Sequence, residues 1–264
     1  MISLLAPIWR YRGFVGSSII NDLKLRVARS RLGSLWIVLQ PLAQAVVYAI
    51  VLSNVLAAKI PGIDNKYSFA IYLLSGTLCW SIFAEIVQRS LTVFIDNGSL
   101  LKKMQFPRIC LPVIVVGSAL VNNLVLLVVV MVIVPVLGVT PTFNLFWIPV
   151  LLAIVIALAS GIGLLLGTLN VFARDVGQVM AVVLQFWFWL TPIVYPASIV
   201  PESFRPVLSA NPLTALVEGY HAVILHGQPP DFRSLLFPLA TAAALLLVSL
   251  VVFRRASPEL VDAL

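Results

Sequence analysis

Charge is what this chain has least of. Only 10% of its 264 residues are Asp, Glu, Lys or Arg, while 61% are hydrophobic. A soluble domain carries about 25% charged residues, so the composition is that of an integral membrane protein. Acid is scarcer than base, 10 residues against 17, for a net charge of +7. The two cysteines, Cys79 and Cys110, sit in or beside apolar runs at a spacing that fits neither a disulfide framework nor a zinc site. No G-x-x-x-x-G-K-[ST] occurs, so the chain has no recognisable phosphate-cradling loop for ATP. No Ser/His/Asp set or paired-carboxylate site stands out. His221 and His226 lack an H-E-x-x-H context and are read as polar surface in or near a loop. These absences describe a conduit without a catalytic site or cofactor of its own. A removable signal peptide is not expected, because no small-residue cleavage site follows a short apolar core.

What is present is long apolar sequence. The first span is expected over Leu35–Leu56 and the second over Ser68–Val87, with Glu85 near its end. From Ile109 to Ala173 runs a stretch of 65 residues without one charge. At roughly 20 residues per span it holds two, Ile109–Leu137 and Phe146–Leu169, with a turn at Gly138–Pro141. A fifth span is expected over Gln178–Val194 and a sixth over Ser234–Phe253. The fold class is therefore all-α integral membrane, six spans in a single transmembrane domain over residues 1–264. Residues 1–33 hold Arg10, Arg12, Lys24, Arg26, Arg29 and Arg31. Ile19, Leu23 and Val27 recur there every four residues, with Ile20 alongside, which suits a basic amphipathic helix on an anionic membrane surface. Leu25 is off that pattern.

Basic residues orient the chain. With both termini cytoplasmic, the inner segments hold 13 of the 17 Lys and Arg, as the positive-inside rule requires. Gln88–Arg108 and Asn170–Gly177 then lie inside and 195–233 outside. Because the positive charge follows topology, no nucleic-acid partner is expected.

The stretch Gln185–Leu213 starts as an aromatic-rich helix and then meets Pro192, Pro196, Pro201, Pro206 and Pro212. Proline removes a backbone donor and disfavours helix in the residue before it. Broken backbone inside a membrane is tolerated only where protein buries it or a wet cavity meets it. The stretch is thus either a path lining or a proline-rich exit loop. Asn122–Asn123, mid-span, is read first as an interhelical hydrogen bond and second as a contact along a pathway. Ala153, Ala157 and Gly161, and separately Ala159, Gly163 and Gly167, recur at spacing four and are read as close helix packing within one subunit. Glu218, in an apolar stretch, either dips toward the membrane or stays solvated.

Four passages resemble the membrane subunit of ATP-binding-cassette type-2 exporters, in the branch that exports lipid-linked polysaccharide such as O-antigen, capsule or teichoic acid. They are Asp22–Arg26 with Ser30–Trp36 and Gln40–Leu42; Asn97–Gly98, Leu100–Lys103 and Phe106–Arg108; Phe172–Val176; and Phe188–Pro196 closing with Asn211–Leu213. They occur in the family's order over nearly the whole chain. Val27 departs from the tyrosine often found there. The resemblance implies an inner (cytoplasmic) membrane homodimer enclosing a channel. A separate ATPase subunit would bind ATP and Mg. The segment 97–108 would couple that subunit to the membrane, with Leu100, Leu101 and Phe106 in a groove and Lys102, Lys103 and Arg108 facing acids; Pro107, Arg174 and Asp175 belong with it. Arg26, Arg29 and Arg31 would meet a pyrophosphate-linked lipid, since guanidinium binds phosphate in a bidentate way. Residues 195–233 would form re-entrant helices, with Pro192, Pro196, Asn211, Pro212 and Glu218 at the exit. Phe186, Trp187, Trp189 and Tyr195 would line the channel; span-end aromatics otherwise form interfacial belts.

Two rivals use other chemistry. A type-2 exporter of a small amphiphile shares the architecture, but the compact chain and its amphipathic start argue against it. A secondary transporter or channel usually places ionisable residues at mid-membrane, and the 65-residue run offers none.

Overall fold

The computed structural model describes residues 9–28, 67–103 and 106–260, together with 39, 43, 47 and 263. Their regular structure is helical throughout: α1 Arg12–Ala28, α2 Ser68–Asp96, α3 Gly98–Lys103, α4 Cys110–Val136, α5 Ile148–Phe172, α6 Asp175–Leu190, α7 Arg205–Ala210, α8 Pro212–Ile224 and α9 Phe232–Ala256. Four of these stretches are long and apolar enough to cross a membrane: α2, α4, α5 with its leading turn, and α9. The expected first span falls outside the described residues apart from three isolated positions, as do Lys59, Lys66, Arg29 and Arg31. Of Arg26 only the helical backbone is described.

Two expected boundaries change. The second span does not end at Val87 but continues as helix to Asp96, because Glu85 and Arg89 are paired rather than forced out of the helix. The fifth apolar helix is shifted from the expected Gln178–Val194, beginning three residues earlier and ending four earlier, as the 16-residue helix Asp175–Leu190. At about 1.5 Å per residue it is about 24 Å long, short of a hydrocarbon core of about 30 Å. Thr191 is extended there, as a residue before proline should be.

The helix α2 is the hub. Of its most apolar window 72% is buried, against 28% for α4 and 22% for α9. It packs on α4, α5, α6 and α8, and α5 in turn holds α9. Between apolar helices in lipid there is little hydrophobic gain, so close contact must come from small residues and hydrogen bonds. Both small-residue stripes serve that end inside this chain. Gly163 and Gly167 lie against Ser90 of α2, and Gly161 lies against Leu245 and Leu246 of α9. Asn123 donates to the Leu78 carbonyl at 2.9 Å and to Ser81 Oγ at 3.2 Å, which ties α4 to α2 as an interhelical bond. The turn after α4 falls where expected, with Gly138 at φ 90°, a conformation that glycine adopts at no steric cost.

The bundle has two dissimilar ends. Phe94, Leu101, Ile109, Val171, Phe253 and Leu260 form one apolar cluster. It gathers the basic segments 89–103, 106–108, 170–177 and 253–260 at a single end. At the other end α8 and the broken segment 191–211 cap α2.

Candidate functional site

The seam at the capped end is built from hydrogen bonds across long sequence separations. After α6 ends, Thr191 Oγ1 donates to the Trp187 carbonyl at 2.8 Å. Pro192 has no N–H to place, and Ile193 next to it is fully buried. Tyr72 Oη of α2 lies 2.8 Å from the Pro192 carbonyl and 2.9 Å from that of Tyr195. A phenol has one hydrogen, so two carbonyls share it. Asn211 sits between α7 and α8 and is the knot. Its Oδ1 accepts from Trp187 Nε1 at 2.9 Å and from the Leu213 N–H at 3.0 Å, and its Nδ2 donates to Thr191 Oγ1 at 2.9 Å. One side chain thus caps α8 and pins the end of α6 to it.

His221 corrects its expected place. It is not loop surface; it is buried on α8. Its ring stacks on Tyr72 with centroids 3.7 Å apart, and Nε2–H donates to the Tyr72 carbonyl at 3.1 Å. Gly76 makes the approach possible, since a β-carbon there would stand 3.0 Å from His221 Nε2 and 3.2 Å from Ile193 Cγ2. Tyr72 and His221 are seam residues whose place sequence reasoning missed. The available signal was a tyrosine hydroxyl inside an apolar helix, a group that needs a partner when buried.

The aromatics expected to line the channel divide into two groups. Phe186 and Trp189 are 65% and 60% exposed, beside exposed Val179, Val182 and Val183. That spacing makes a continuous apolar face on α6. Trp187 points the other way, edge-on to Phe83 at 5.3 Å and bonded to Asn211, so it belongs to the seam. Tyr195 donates to the Trp189 carbonyl at 2.9 Å. Of the residues expected at the exit, Pro192 is buried, Pro196 precedes a short 3-10 turn, Pro212 opens α8 and Glu218 is exposed on α8.

At the basic end, α3 projects Lys102 and Lys103 outward while Leu100 is half-buried. Leu101 is turned into the chain's own core and is not free to fill a partner's groove. Phe106 is half-buried against Phe14 of α1 at 5.3 Å. Pro107 and Arg108 are half-buried, and Arg108 Nη1 donates to Ser257 Oγ at 3.2 Å. Arg174 and Asp175 are exposed at the turn into α6. Asn170 braces that turn, donating to the Leu91 carbonyl at 2.8 Å and accepting from the Gly177 N–H at 2.7 Å. Asp175 in the first turn of α6 also complements the helix dipole.

The helix α1 is fastened to the bundle by Ile19 over Gly117 of α4 and by charge. Arg89 Nη2 meets Asp22 Oδ2 at 2.8 Å, Arg89 Nη1 meets Glu85 Oε1 at 3.4 Å, and Asn122 Nδ2 donates to Glu85 Oε1 at 2.9 Å. Ile20 and Leu25 are exposed on α1. The Asp22–Arg89 side chains are 29% and 25% exposed, which keeps the pair near the upper end of about 1 kcal/mol for such bridges. Asp22→Ala is therefore expected to speed protease cleavage within α1 by about three- to fivefold while the remaining bundle accumulates normally. An unchanged rate would show that the pair does not hold α1.

No group of His, Cys, Asp and Glu among the described residues is placed to hold a metal. The ABC-2 type transporter family matches residues 16–225. The chain is 29% identical to the O-antigen export system permease protein RfbA of Myxococcus xanthus over 100% of both chains. It is 30% identical to a protein of that name from Klebsiella pneumoniae, over 89% of this chain and 88% of that one. It is 23% identical to the polysialic acid transport protein KpsM of Escherichia coli, over 89% and 90%. With the family match spanning both the seam and the basic end, this chain belongs to the ABC-2 type transporter family.

Proposed function

We propose that this chain is the membrane subunit of an exporter that moves lipid-linked polysaccharide across the cytoplasmic membrane, driven by ATP hydrolysis in a separate subunit. The observation that carries it is similarity along the whole chain to permeases named for O-antigen export. Two copies enclose the path, with the exposed apolar face of α6, Phe186 and Trp189 included, turned toward it. Flat rings there stack on sugar faces. Both termini and the basic end face the cytoplasm. Arg26, Arg29 and Arg31 meet the pyrophosphate of the lipid carrier. ATP and Mg bind the partner. Because Arg108 is bonded to Ser257, contact with the partner's acids falls to Lys102 and Lys103; because Leu101 is buried, the groove contact falls to Leu100, with Arg174 and Asp175 beside them. The segment 191–224 re-enters from outside and closes the exit through the Tyr72 and Asn211 bonds; α8, at 13 residues, is about 20 Å long and too short to cross.

A strain lacking this chain is expected to retain full-length lipid-linked polymer on the cytoplasmic face, with surface display restored by the wild-type copy. Lys102→Glu with Lys103→Glu should reproduce the trapping while the protein stays inserted and the ATPase subunit still hydrolyses ATP. Normal surface glycan in the deletion strain would remove the polysaccharide assignment; normal export by the double variant would remove the coupling role of the two lysines.

A further inference from the structure

On the outer side of Asn211 a cavity of about 460 Å³ opens between the stretch after Pro196, α7, α8 and the head of α9. Its size falls within the range of small-molecule sites, about 300–1,000 Å³. Arg205, Arg233 and Glu218 line it together with Thr214, Leu208 and Phe237. Two features of this lining point to a ligand. Arg233 and Glu218 make no side-chain ion pair or hydrogen bond among the described residues, with each other or with anything else, although both face one cavity. Arg205 is committed only to Glu202 at 3.4 Å in a well-exposed pair, which contributes little.

The charges select the chemistry. Two guanidinium groups suit phosphate, which they bind in forked geometry. A carboxylate in the same cavity suits an ammonium group. A neutral saccharide leaves both signs unanswered, and a purely anionic group is opposed by Glu218. Leu208 and Phe237 add apolar wall, and the head of α9 continues it outside the cavity with exposed Phe232, Leu236 and Leu239. An acyl chain attached to the bound group has a surface to follow.

We propose that this cavity is a binding site for a zwitterionic phospholipid of the outer leaflet, its phosphate held by Arg233 and Arg205 and its ammonium by Glu218. The site adjoins the exit seam, sharing Asn211 with it, and so rests on the placement of the segment 191–224 proposed above. It fixes the external helices to the membrane at the point where α9 enters it.

Native mass spectrometry of the full chain in mild detergent, titrated with phosphatidylethanolamine or phosphatidylglycerol of matched acyl chains, tests it. Phosphatidylethanolamine should be retained about tenfold more strongly, the difference one charge-assisted hydrogen bond makes. Arg233→Ala should remove retention of both lipids. Glu218→Gln should abolish the preference while leaving phosphatidylglycerol bound at least as well. Neither side chain has a protein partner, so both variants should fold, which an unchanged elution profile verifies. Equal retention of the two lipids by the wild-type chain, or retention unchanged in both variants, would overturn the proposal. The measurement involves no transport, so its outcome is independent of the exported substrate.

Discussion

Leucine in place of Gly167 is expected to eliminate the folded protein from the membrane. A β-carbon at Gly167 would fall on the Ser90 carbonyl oxygen, with the Ser90 carbonyl carbon 3.0 Å away. One turn earlier, a β-carbon at Gly163 would stand 2.7 Å from Ser90 Cβ. The obstacle is backbone of the hub helix, about two turns from its end at Asp96, so no side-chain rotation relieves it. Helices α2 and α5 would have to part. Overpacking a close-packed interior costs about 1–3 kcal/mol even where side chains can adjust, and here they cannot. Parting the helices would also stretch the bond from Asn170 to the Leu91 carbonyl and so release the turn that presents Arg174 and Asp175. The measurement is the yield of monodisperse, detergent-extracted protein. Gly16, around which nothing lies within 4 Å, is the control: Gly16→Ala should accumulate at least as well as wild type, since alanine favours helix by roughly 0.5–1 kcal/mol. Normal yield of Gly167→Leu would mean that the α2–α5 contact is not what holds the bundle.

The second large effect is expected at Asn211. Alanine there deprives three groups of a partner at once: the Trp187 indole N–H, the Leu213 N–H and Thr191 Oγ1. Loss of a helix cap costs about 1 kcal/mol, and a buried donor left unsatisfied costs about 1–3 kcal/mol. Together about 2–4 kcal/mol is at stake, a sizeable part of a typical stability of about 5–15 kcal/mol. Asn211→Ala should lower the thermal unfolding midpoint in detergent and change the fluorescence of Trp187. Asn211→Asp keeps the oxygen that accepts from Trp187 and Leu213, and should recover most of the loss. Equal behaviour of the two variants would show that the accepted bonds are not the source of the effect.

The apolar helices were legible because a long uncharged run in lipid has few alternatives to helix. Ile109–Leu137 and Ser234–Phe253 lie within a few residues of α4 and α9. The small residues of α5 were equally legible, since a spacing of four fixes one face. Charged residues misled. Glu85 and Arg89 look like the end of a span, yet the helix continues because each finds a partner, Asp22 and Asn122 among them, from distant sequence. His221 broke an apolar pattern and so resembled loop; its stacking partner Tyr72 is 149 positions away, and no local signal reports such a contact. Leu101 has the opposite history. Its neighbours are basic, so the segment looks like free surface, and only the assembled end of the bundle shows that this leucine is its anchor. The broken stretch after Leu190 announced its irregularity through proline, but not which groups would receive the freed backbone.

The seam that receives it is made of a phenol, an indole, an amide and a hydroxyl bonded to one another and to backbone carbonyls. Tyr72, Trp187, Asn211 and Thr191 carry no formal charge. An electric field across a bilayer does work of about 2.3 kcal/mol per elementary charge moved through 100 mV, and parting these four groups moves none. If the seam closes the exit as proposed, its own bonds give the membrane voltage no handle, and any pull that voltage exerts on the closure acts through the charges of Glu218 and Arg205 on the helices that carry it. Those bonds themselves yield only to displacement of the helices behind them.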